Sequence, residues 1–419
     1  MEKLSRHSLA TSLNQNYYVL ISRIVKLKLL NNYLSILKTP QAKSTFGFGT
    51  LGRISFGSAP VALVLTISKL QNSFSIAGIA AGIFTFAGAL FVPRIGRLAD
   101  QLGARKVLLS ISIINLMSLI YLIVFAKHRD WEVYLGAALT GATFPNFGSY
   151  TRTRWGRLFS DQNLLTSVLS LESVLDELGF VVGPALAGVL YAAFSPTAPL
   201  YCVVILMIIA GVGLALTGED FKEKEIRGKS TTSLYSIPHF RPLLISLVFL
   251  GVVFGGSTVS IVAAAKISHI DRLSGILVSL YALGSLIAGA WYGTKAWKSP
   301  IGLRYFATLC IMSVSTSVLW IFRSGSFLWL TVIIAGCVIS PTLIAANSFM
   351  KAIVPIDRLT ESFSFIGAAI SFGITIGSVI SGWLVNHFGA WNSFYSLTIS
   401  AALAALVSWI GVAPNKEHR

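Results

Sequence analysis

Charged residues are scarce in this chain. Only 12% of its 419 residues are Asp, Glu, Lys or Arg, whereas 54% are hydrophobic. Soluble domains usually carry roughly 25% charged residues. A chain with so few charges cannot cover a compact core with polar surface, so the composition excludes a soluble globular protein.

Cysteine and histidine are also few. The three cysteines each fall in a different apolar segment, and the six histidines show no spacing typical of metal ligands. This pattern argues against a disulfide framework and against a metal site. We therefore expect no metal and no cofactor. No pairing of a nucleophile with a base lies within the apolar segments, so we do not expect an enzyme.

Long apolar segments account for most of the sequence. A helix that spans a membrane needs about 20 apolar residues, and twelve segments meet this length. Their predicted limits are 46–68, 75–93, 107–126, 132–151, 165–194, 199–217, 243–265, 273–296, 302–322, 326–349, 362–386 and 391–412. We expect Pro145 to kink the fourth helix.

Acidic residues are half as frequent as basic ones, which gives a net charge of +17. The positions of the bases argue against nucleic acid as a partner. If the N-terminus is cytoplasmic, Arg53 lies within a span and 26 of the 33 bases fall on the inner side. The six outer bases are Lys69, Lys127, Arg129, Lys266, Arg272 and Arg323. This excess predicts that both termini of a multi-pass protein of the cell inner membrane are cytoplasmic.

A charged connector divides the apolar segments into two sets of six. We predict a cytoplasmic tail at 1–44, a six-helix bundle at 45–217, a cytoplasmic linker at 218–240, a second bundle at 241–413 and a short tail at 414–419. Residues 17–38 mix apolar and basic side chains. They could form an amphipathic helix on the inner leaflet or an unstructured tail. The fold class is therefore all-α, with twelve transmembrane helices.

A short charged stretch, residues 96–106, reads GRLADQLGARK between the second and third apolar segments and predicts a tight cytoplasmic turn. Its typed positions are Gly96, Asp100, Gly103, Arg105 and Lys106. Asp100 can cap a helix or pair with a base such as Arg152 or Arg154. The spacing resembles the signature of the major facilitator superfamily between helices 2 and 3. This resemblance extends over about 45–413 and implies two six-helix bundles that alternate access to a central site.

Two glycine motifs relate the predicted halves. Helix 5 contains Gly179, Gly183, Pro184 and Gly188, and helix 11 contains Gly373, Gly377 and Gly382, so that the glycines recur 194 residues later. Such glycines allow close helix packing. The segment 179–188 also resembles the helix 5 signature of drug–proton antiporters of the same superfamily, which implies export. The arginine that is usual in helix 4 of those exporters is absent from 136–147.

Acidic residues inside a membrane are costly and usually face a cavity or a partner. Glu172 and Asp176 share a face of helix 5, about 10 and 16 Å into the membrane, and Glu177 points elsewhere. Arg53 is the only base at similar depth. Two interpretations stay open. Glu172 and Asp176 bind protons with Arg53 as counter-ion, or Arg53 and Glu172 form a static bridge while Glu177 reaches a helix interface.

These observations predict a secondary transporter that exports a small organic solute in exchange for protons. We expect it to work as a monomer in the lipid bilayer. Uptake of a sugar or an amino acid by symport is the alternative within transport. A receptor or scaffold that transports nothing is the alternative in another class.

Overall fold

The computed structural model describes residues 40–159, 161–217, 234, 237–295, 297–355 and 359–412, without the side chains at 40, 100, 162, 163, 166 and 359–361. Within these ranges the chain forms fourteen α-helices and no strand. The helices are α1 Pro40–Leu70, α2 Phe74–Leu102, α3 Ala104–Phe125, α4 Asp130–Thr143, α5 Phe147–Leu158, α6 Gln162–Ala193, α7 Ala198–Thr217, α8 Phe240–Ile267, α9 Ser274–Thr294, α10 Ile301–Ile321, α11 Gly325–Gly336, α12 Ile339–Ile353, α13 Leu359–Phe388 and α14 Ala390–Gly411. The predicted amphipathic tail and most of the predicted linker lie outside the described residues.

The described helices account for twelve membrane crossings. Eleven segments are long and apolar enough to cross a membrane, and α11 with α12 count as one of them. The remaining crossing consists of α4 and α5 together. The fold class predicted from the sequence, all-α with twelve transmembrane helices, is therefore confirmed.

The fourth predicted span, 132–151, was expected to be one kinked helix, and that prediction is wrong. It is two helices, because residues 144–146 around Pro145 are not helical. Proline cannot donate a backbone hydrogen bond, so the first helix ends before it. The second begins at Phe147, where the Asn146 side chain accepts a hydrogen bond from the Ser149 amide (3.1 Å). This second helix, α5, continues to Leu158 and carries its bases beyond the predicted limit.

The turn predicted over 96–106 is also wrong in its extent. Helix α2 continues through the motif to Leu102, and α3 begins at Ala104. The turn is the single residue Gly103, whose φ of +100° is a conformation that favours glycine. Gly96 lies within α2, and a Cβ there would meet nothing within 4 Å. The polar residues Arg97, Asp100 and Gln101 are compatible with a helix that extends beyond the hydrocarbon, so the helix ends only at the glycine.

Helices α1 and α8 lie at the centres of two sets of helices, α1–α7 and α8–α14. In both, 72% of the most apolar window is buried, against 22 to 50% for the other spans. In the first set, a Cβ on Gly183 would lie 2.6 Å from the Ser58 amide nitrogen of α1. In the second set, a Cβ on Gly377 would lie 2.2 Å from the Val252 oxygen of α8. These contacts require glycine and hold α6 and α13 against the two central helices.

The third glycine of each motif packs across to the other set. A Cβ on Gly188 would lie 2.7 Å from the Gly275 Cα of α9, and one on Gly382 would lie 2.5 Å from the Phe74 oxygen of α2. The first two glycines of each motif, Gly179 and Gly183 or Gly373 and Gly377, instead face α1 or α8 of their own set. The repeat in the sequence is thus also a repeat in packing.

Candidate functional site

Four charged side chains from three helices meet inside the first set of helices. Arg53 comes from α1, Arg152 from α5, and Glu172 and Asp176 from α6. The break before α5 and its continuation past the predicted limit bring Arg152 to this place. A Cβ on Gly148 would lie 3.2 Å from Arg152 Nη1 and 3.6 Å from Asp176 Oδ1. Glycine at 148 therefore leaves room for the charged groups.

Arg53 joins the two acids. Its Nε donates to Asp176 Oδ1 (2.6 Å), and its Nη2 donates to Glu172 Oε2. Its Nη1 donates to the Gly49 carbonyl oxygen (3.1 Å), one turn earlier in α1. The side chain is only 5% exposed. Because several donors of a buried guanidinium have acceptors, the cost of burying this charge is offset by fixed partners.

Glu172 is fully buried, with 0% of its side chain exposed. Trp155 Nε1 donates to its Oε1 (2.8 Å), and the Thr151 hydroxyl donates to its Oε2 (2.5 Å). Arg53 supplies the third donor. Donors on both oxygens and an adjacent arginine therefore hold this carboxylate in one position. The geometry therefore favours a static role for Glu172, which was one of the two interpretations of the sequence.

Asp176 is held differently. Its side chain is 33% exposed, and its second oxygen accepts from Arg152 Nη2. Arg152 is itself 43% exposed. The ion pair of Asp176 with Arg152 is thus accessible, whereas its ion pair with Arg53 is buried on the Arg53 side. Of the two acids, Asp176 is the more accessible.

Two phenylalanine rings extend the accessible surface beside Asp176. Phe56 of α1 is 44% exposed and Phe180 of α6 is 46% exposed, and their ring centroids are 6.2 Å apart. Over 48–68, a stretch described in full, Phe56 is the only exposed position. Phe56 lies three residues after Arg53, on the same face of α1. Charged and aromatic groups therefore line the same accessible wall.

Glu177 lies next to Asp176 on another face of α6 and is half-buried. Within the described part of the chain, its carboxylate has no hydrogen bond and no ion pair. Pro184 and Gly188 lie seven and eleven residues later, on the same face of the helix, and both contact α9 at Gly275. Glu177 therefore lies on the face of α6 that turns toward the second set of helices.

The two sets of helices are joined at the end that the charge distribution predicts to be outside. The Asn386 side chain accepts from the Phe74 amide (3.0 Å) and donates to the Ser73 hydroxyl (2.9 Å). One turn deeper, a Cβ on Gly78 would lie 2.3 Å from the Ser378 oxygen. Backbone contact and polar side chains thus close this end.

The residues of the predicted conformational motif lie in different places. Arg152 binds Asp176, whereas Arg154 donates to the Thr45 hydroxyl (3.0 Å) and to the Leu214 carbonyl oxygen (3.2 Å). Arg105 and Arg154 line a common cavity. The Asp100 side chain lies outside the described part, so its pairing stays a prediction.

Sequence reasoning missed the roles of several residues at this site. Thr151 and Trp155 hold Glu172, and Phe56 and Phe180 form the aromatic wall. A signal existed for the two rings, because Phe56 is three residues from Arg53 and Phe180 four from Asp176, which places each ring on the same helix face as the charge. No signal in the sequence links 151 and 155 to 172.

Comparison with known proteins agrees with this architecture. The family description "Major Facilitator Superfamily" matches residues 45–336. MFS-type transporter SLC18B1 of Mus musculus is 27% identical over 277 residues, which are 59% of this chain and 59% of that protein. Uncharacterized MFS-type transporter MJ1560 of Methanocaldococcus jannaschii is 25% identical over 251 residues, which are 56% of this chain and 63% of that protein. The similarity thus spans about three fifths of these relatives.

Solved structures share the fold at low sequence identity. The nucleoside transporter NupG superposes with a TM-score of 0.71 at 14% identity and covers 89% of this chain and 98% of its own. A bacterial homologue of the iron transporter ferroportin, in an inward-facing state, gives 0.70 at 13% identity with 88% and 98% covered. A D-xylose–proton symporter gives 0.69 at 13% identity with 89% and 98% covered. The chain belongs to the Major Facilitator Superfamily.

Proposed function

We propose that the protein exports a small organic solute in exchange for protons, with Asp176 as the residue that couples the two. The observation that carries this proposal is the contrast between the two acids of α6. Glu172 is fully buried, whereas Asp176 is one-third exposed beside an accessible arginine and two rings. A group that couples solute to protons has to be reachable by both, and Asp176 meets that condition.

The coupling step is an exchange of partners at Asp176. As a carboxylate, Asp176 binds Arg53 through one oxygen and Arg152 through the other. A proton on Asp176 removes its negative charge and weakens both ion pairs, which frees the exposed Arg152 to move or to bind a solute. Loss of the proton restores the two ion pairs. Glu172 and Arg53 remain together and keep the buried part of the cluster intact.

Alternating access would come from the movement of one set of helices against the other. The contacts of α2 with α13 and of α6 with α9 close the predicted outer end, which supports an inward-facing state of this structure. Close glycine contacts can form and separate with little change in side chains. In this proposal the bundles are 45–217 and 241–413, both termini are cytoplasmic, and a monomer in the cell inner membrane is sufficient. The hairpin around Asp100 would then stabilise the opposite, outward-facing state.

Export is favoured over uptake by the glycine–proline segment of α6, where Gly183 and Pro184 resemble the exporter signature. The same segment contacts both α1 and α9. A pliable segment that closes the outer end after each cycle would limit the return of an exported solute. Uptake by symport would use the same acids with the opposite direction of solute movement.

The test begins with a thermal-stability screen of the purified protein against metabolites and drugs, followed by transport in proteoliposomes. Asp176→Asn should abolish transport driven by a pH gradient and preserve counterflow exchange of the solute, because the amide resembles the protonated acid. Asp130→Asn, an acid at the start of α4 outside the cluster, is the matched control and should behave as wild type. Unchanged pH dependence in Asp176→Asn would exclude the proposed coupling. Binding of a solute without transport would favour a receptor.

A further inference from the structure

Phe74, the first residue of α2, contacts the second set of helices through its amide, its carbonyl group and its ring. The amide donates to Asn386 Oδ1 of α13 (3.0 Å), and a Cβ on Gly382 would lie 2.5 Å from the carbonyl oxygen. The ring lies beneath Lys266 of α8, whose Nζ is 5.4 Å from the ring centroid. Two helices of the second set therefore meet at one residue of the first.

The Asn386 side chain completes the N-terminus of α2. The first amides of a helix have no acceptor within the helix. The hydroxyl oxygen of Ser73, just before α2, accepts from the Ile76 amide (3.3 Å), as is usual for a serine at this position. Asn386 accepts from the Phe74 amide and donates to the Ser73 hydroxyl. The cap of α2 is therefore shared between the two sets, and their separation would leave the Phe74 amide to water.

The contact of Lys266 with Phe74 is a cation–π interaction across the same boundary. An ammonium group is attracted to the face of an aromatic ring within about 6 Å of the ring centroid. The Phe74 side is almost fully buried, with 8% of the residue exposed, whereas Lys266 is exposed. The lysine therefore covers the ring from the solvent side.

Both partners of this contact are held by their own set of helices. In the first set, the Gln71 side chain donates to the carbonyl oxygens of Ala126 and His128 (2.9 Å each), which ties the turn before α2 to the end of α3. In the second set, Lys266 belongs to the last turn of α8. We therefore expect the contact to break when the two sets move apart.

We propose that Lys266 and Asn386 together form a latch on Phe74 that sets how often the outer end opens. The three side chains of this latch are a cation, an amide and an aromatic ring, so its opening does not require an acid to bind a proton. This inference rests on the alternating access proposed above, but it does not depend on proton coupling or on the direction of transport.

The test measures opening from the outer side. Val379 packs against α2, since a Cβ on Gly82 would lie 3.3 Å from its Cγ2. It lies about 10 Å deeper along α13 than Asn386. A cysteine placed at Val379, in a background without the three native cysteines, is labelled in intact cells with a membrane-impermeant maleimide. When opening and closing are fast relative to labelling, the labelling rate follows the open population.

Four variants separate the latch from a general loss of charge or stability. Lys266→Gln removes the cation, and Lys266→Arg keeps one that can also lie over a ring. Phe74→Leu removes the ring and keeps an apolar side chain. Lys69→Gln is the matched control, because Lys69 is an exposed base in the last turn of α1.

Loss of an exposed cation–π contact should shift the equilibrium about two- to fivefold. We expect Lys266→Gln to raise the labelling rate by this factor, and Lys266→Arg and Lys69→Gln to stay near wild type. Phe74→Leu should raise the rate at least as much. Lys266→Gln should add nothing further in the Phe74→Leu background, because its partner is already absent.

An equal increase in Lys69→Gln, or additive effects of Lys266→Gln and Phe74→Leu, would overturn the latch. Labelling that is present in wild type and unchanged in Lys266→Gln would overturn the latch alone. No labelling at position 379 in any variant would overturn both the latch and the alternating access on which it rests. If Phe74→Leu is not produced, the difference between Lys266→Gln and Lys266→Arg decides the test.

Discussion

Glu172 and Asp176 lie one helical turn apart, and the structure predicts that their amide variants fail in different ways. Glu172→Gln replaces an acceptor oxygen by an NH₂ group that faces the Thr151 hydroxyl and Arg53, or Trp155 if the amide is turned. In either orientation the NH₂ group, a hydrogen-bond donor, faces other donors. Arg53 then keeps only one acidic partner. Removing one member of a buried ion pair costs about 3 to 5 kcal/mol.

Asp176→Asn should cost less stability. The amide oxygen can still accept the hydrogen bond from the buried Arg53 Nε, and Arg53 keeps Glu172 as its acidic partner. The other partner of Asp176, Arg152, is 43% exposed and can be solvated by water when the charge is lost. Exposed ion pairs contribute about 1 kcal/mol or less. The two variants should therefore differ by roughly 2 to 4 kcal/mol in the free energy of unfolding.

Unfolding of both variants in mixed detergent micelles measures this difference directly. Trp155→Phe provides a separate check, because it removes the indole donor to Glu172 Oε1 and keeps an aromatic ring; loss of this donor should cost about 1 to 3 kcal/mol. The assignment of Glu172 to structure and Asp176 to coupling would be refuted if Glu172→Gln were as stable as Asp176→Asn.

Further predictions concern the closed end and the topology. Asn386→Ala removes two hydrogen bonds to the start of α2, at Ser73 and Phe74. At about 1 kcal/mol each, their loss should increase the labelling of a cysteine placed at Val379, in a cysteine-free background, by up to roughly 30-fold. Unchanged labelling would show that the amide does not hold this end closed. Gly382→Val forces a side chain against the Phe74 oxygen and should stop transport, whereas Gly367→Val on the same helix, where a Cβ meets nothing within 4 Å, should not; equal activity would contradict the packing argument. A fluorescent reporter fused after Arg419 should be cytoplasmic, and detection outside would contradict the predicted orientation.

Much of the fold follows from local composition. The lengths of the apolar segments predicted the number of membrane crossings. Pro145, which has no backbone N–H, indicated where the fourth helix departs from regular geometry. The turn at 96–106 was predicted too long, because glycine and charge favour turns but also occur in a helix that leaves the membrane. Of the two glycines in this stretch, Gly103 has a positive φ and Gly96 lies within the helix, and the sequence does not distinguish them.

The candidate site was predicted only in part. Depth along the helices suggested that Arg53 and the acids of α6 are close. Depth along the helices could not show that Trp155 and Thr151 bury Glu172, because the positions of these two residues depend on how α5 continues after the break at Pro145. It also could not show that one of two acids on the same helix face is exposed and the other is not. That difference arises from the neighbouring helices and not from the periodicity of α6.

Proton movement coupled to the solute tests the central claim most directly. A pH-sensitive dye inside proteoliposomes reports proton flux when a transported solute is added on one side without a pH gradient. Wild type should move protons opposite to the solute. Asp176→Asn should exchange solute without proton flux. Equal proton flux in wild type and Asp176→Asn, or none in wild type during net solute transport, would contradict the account.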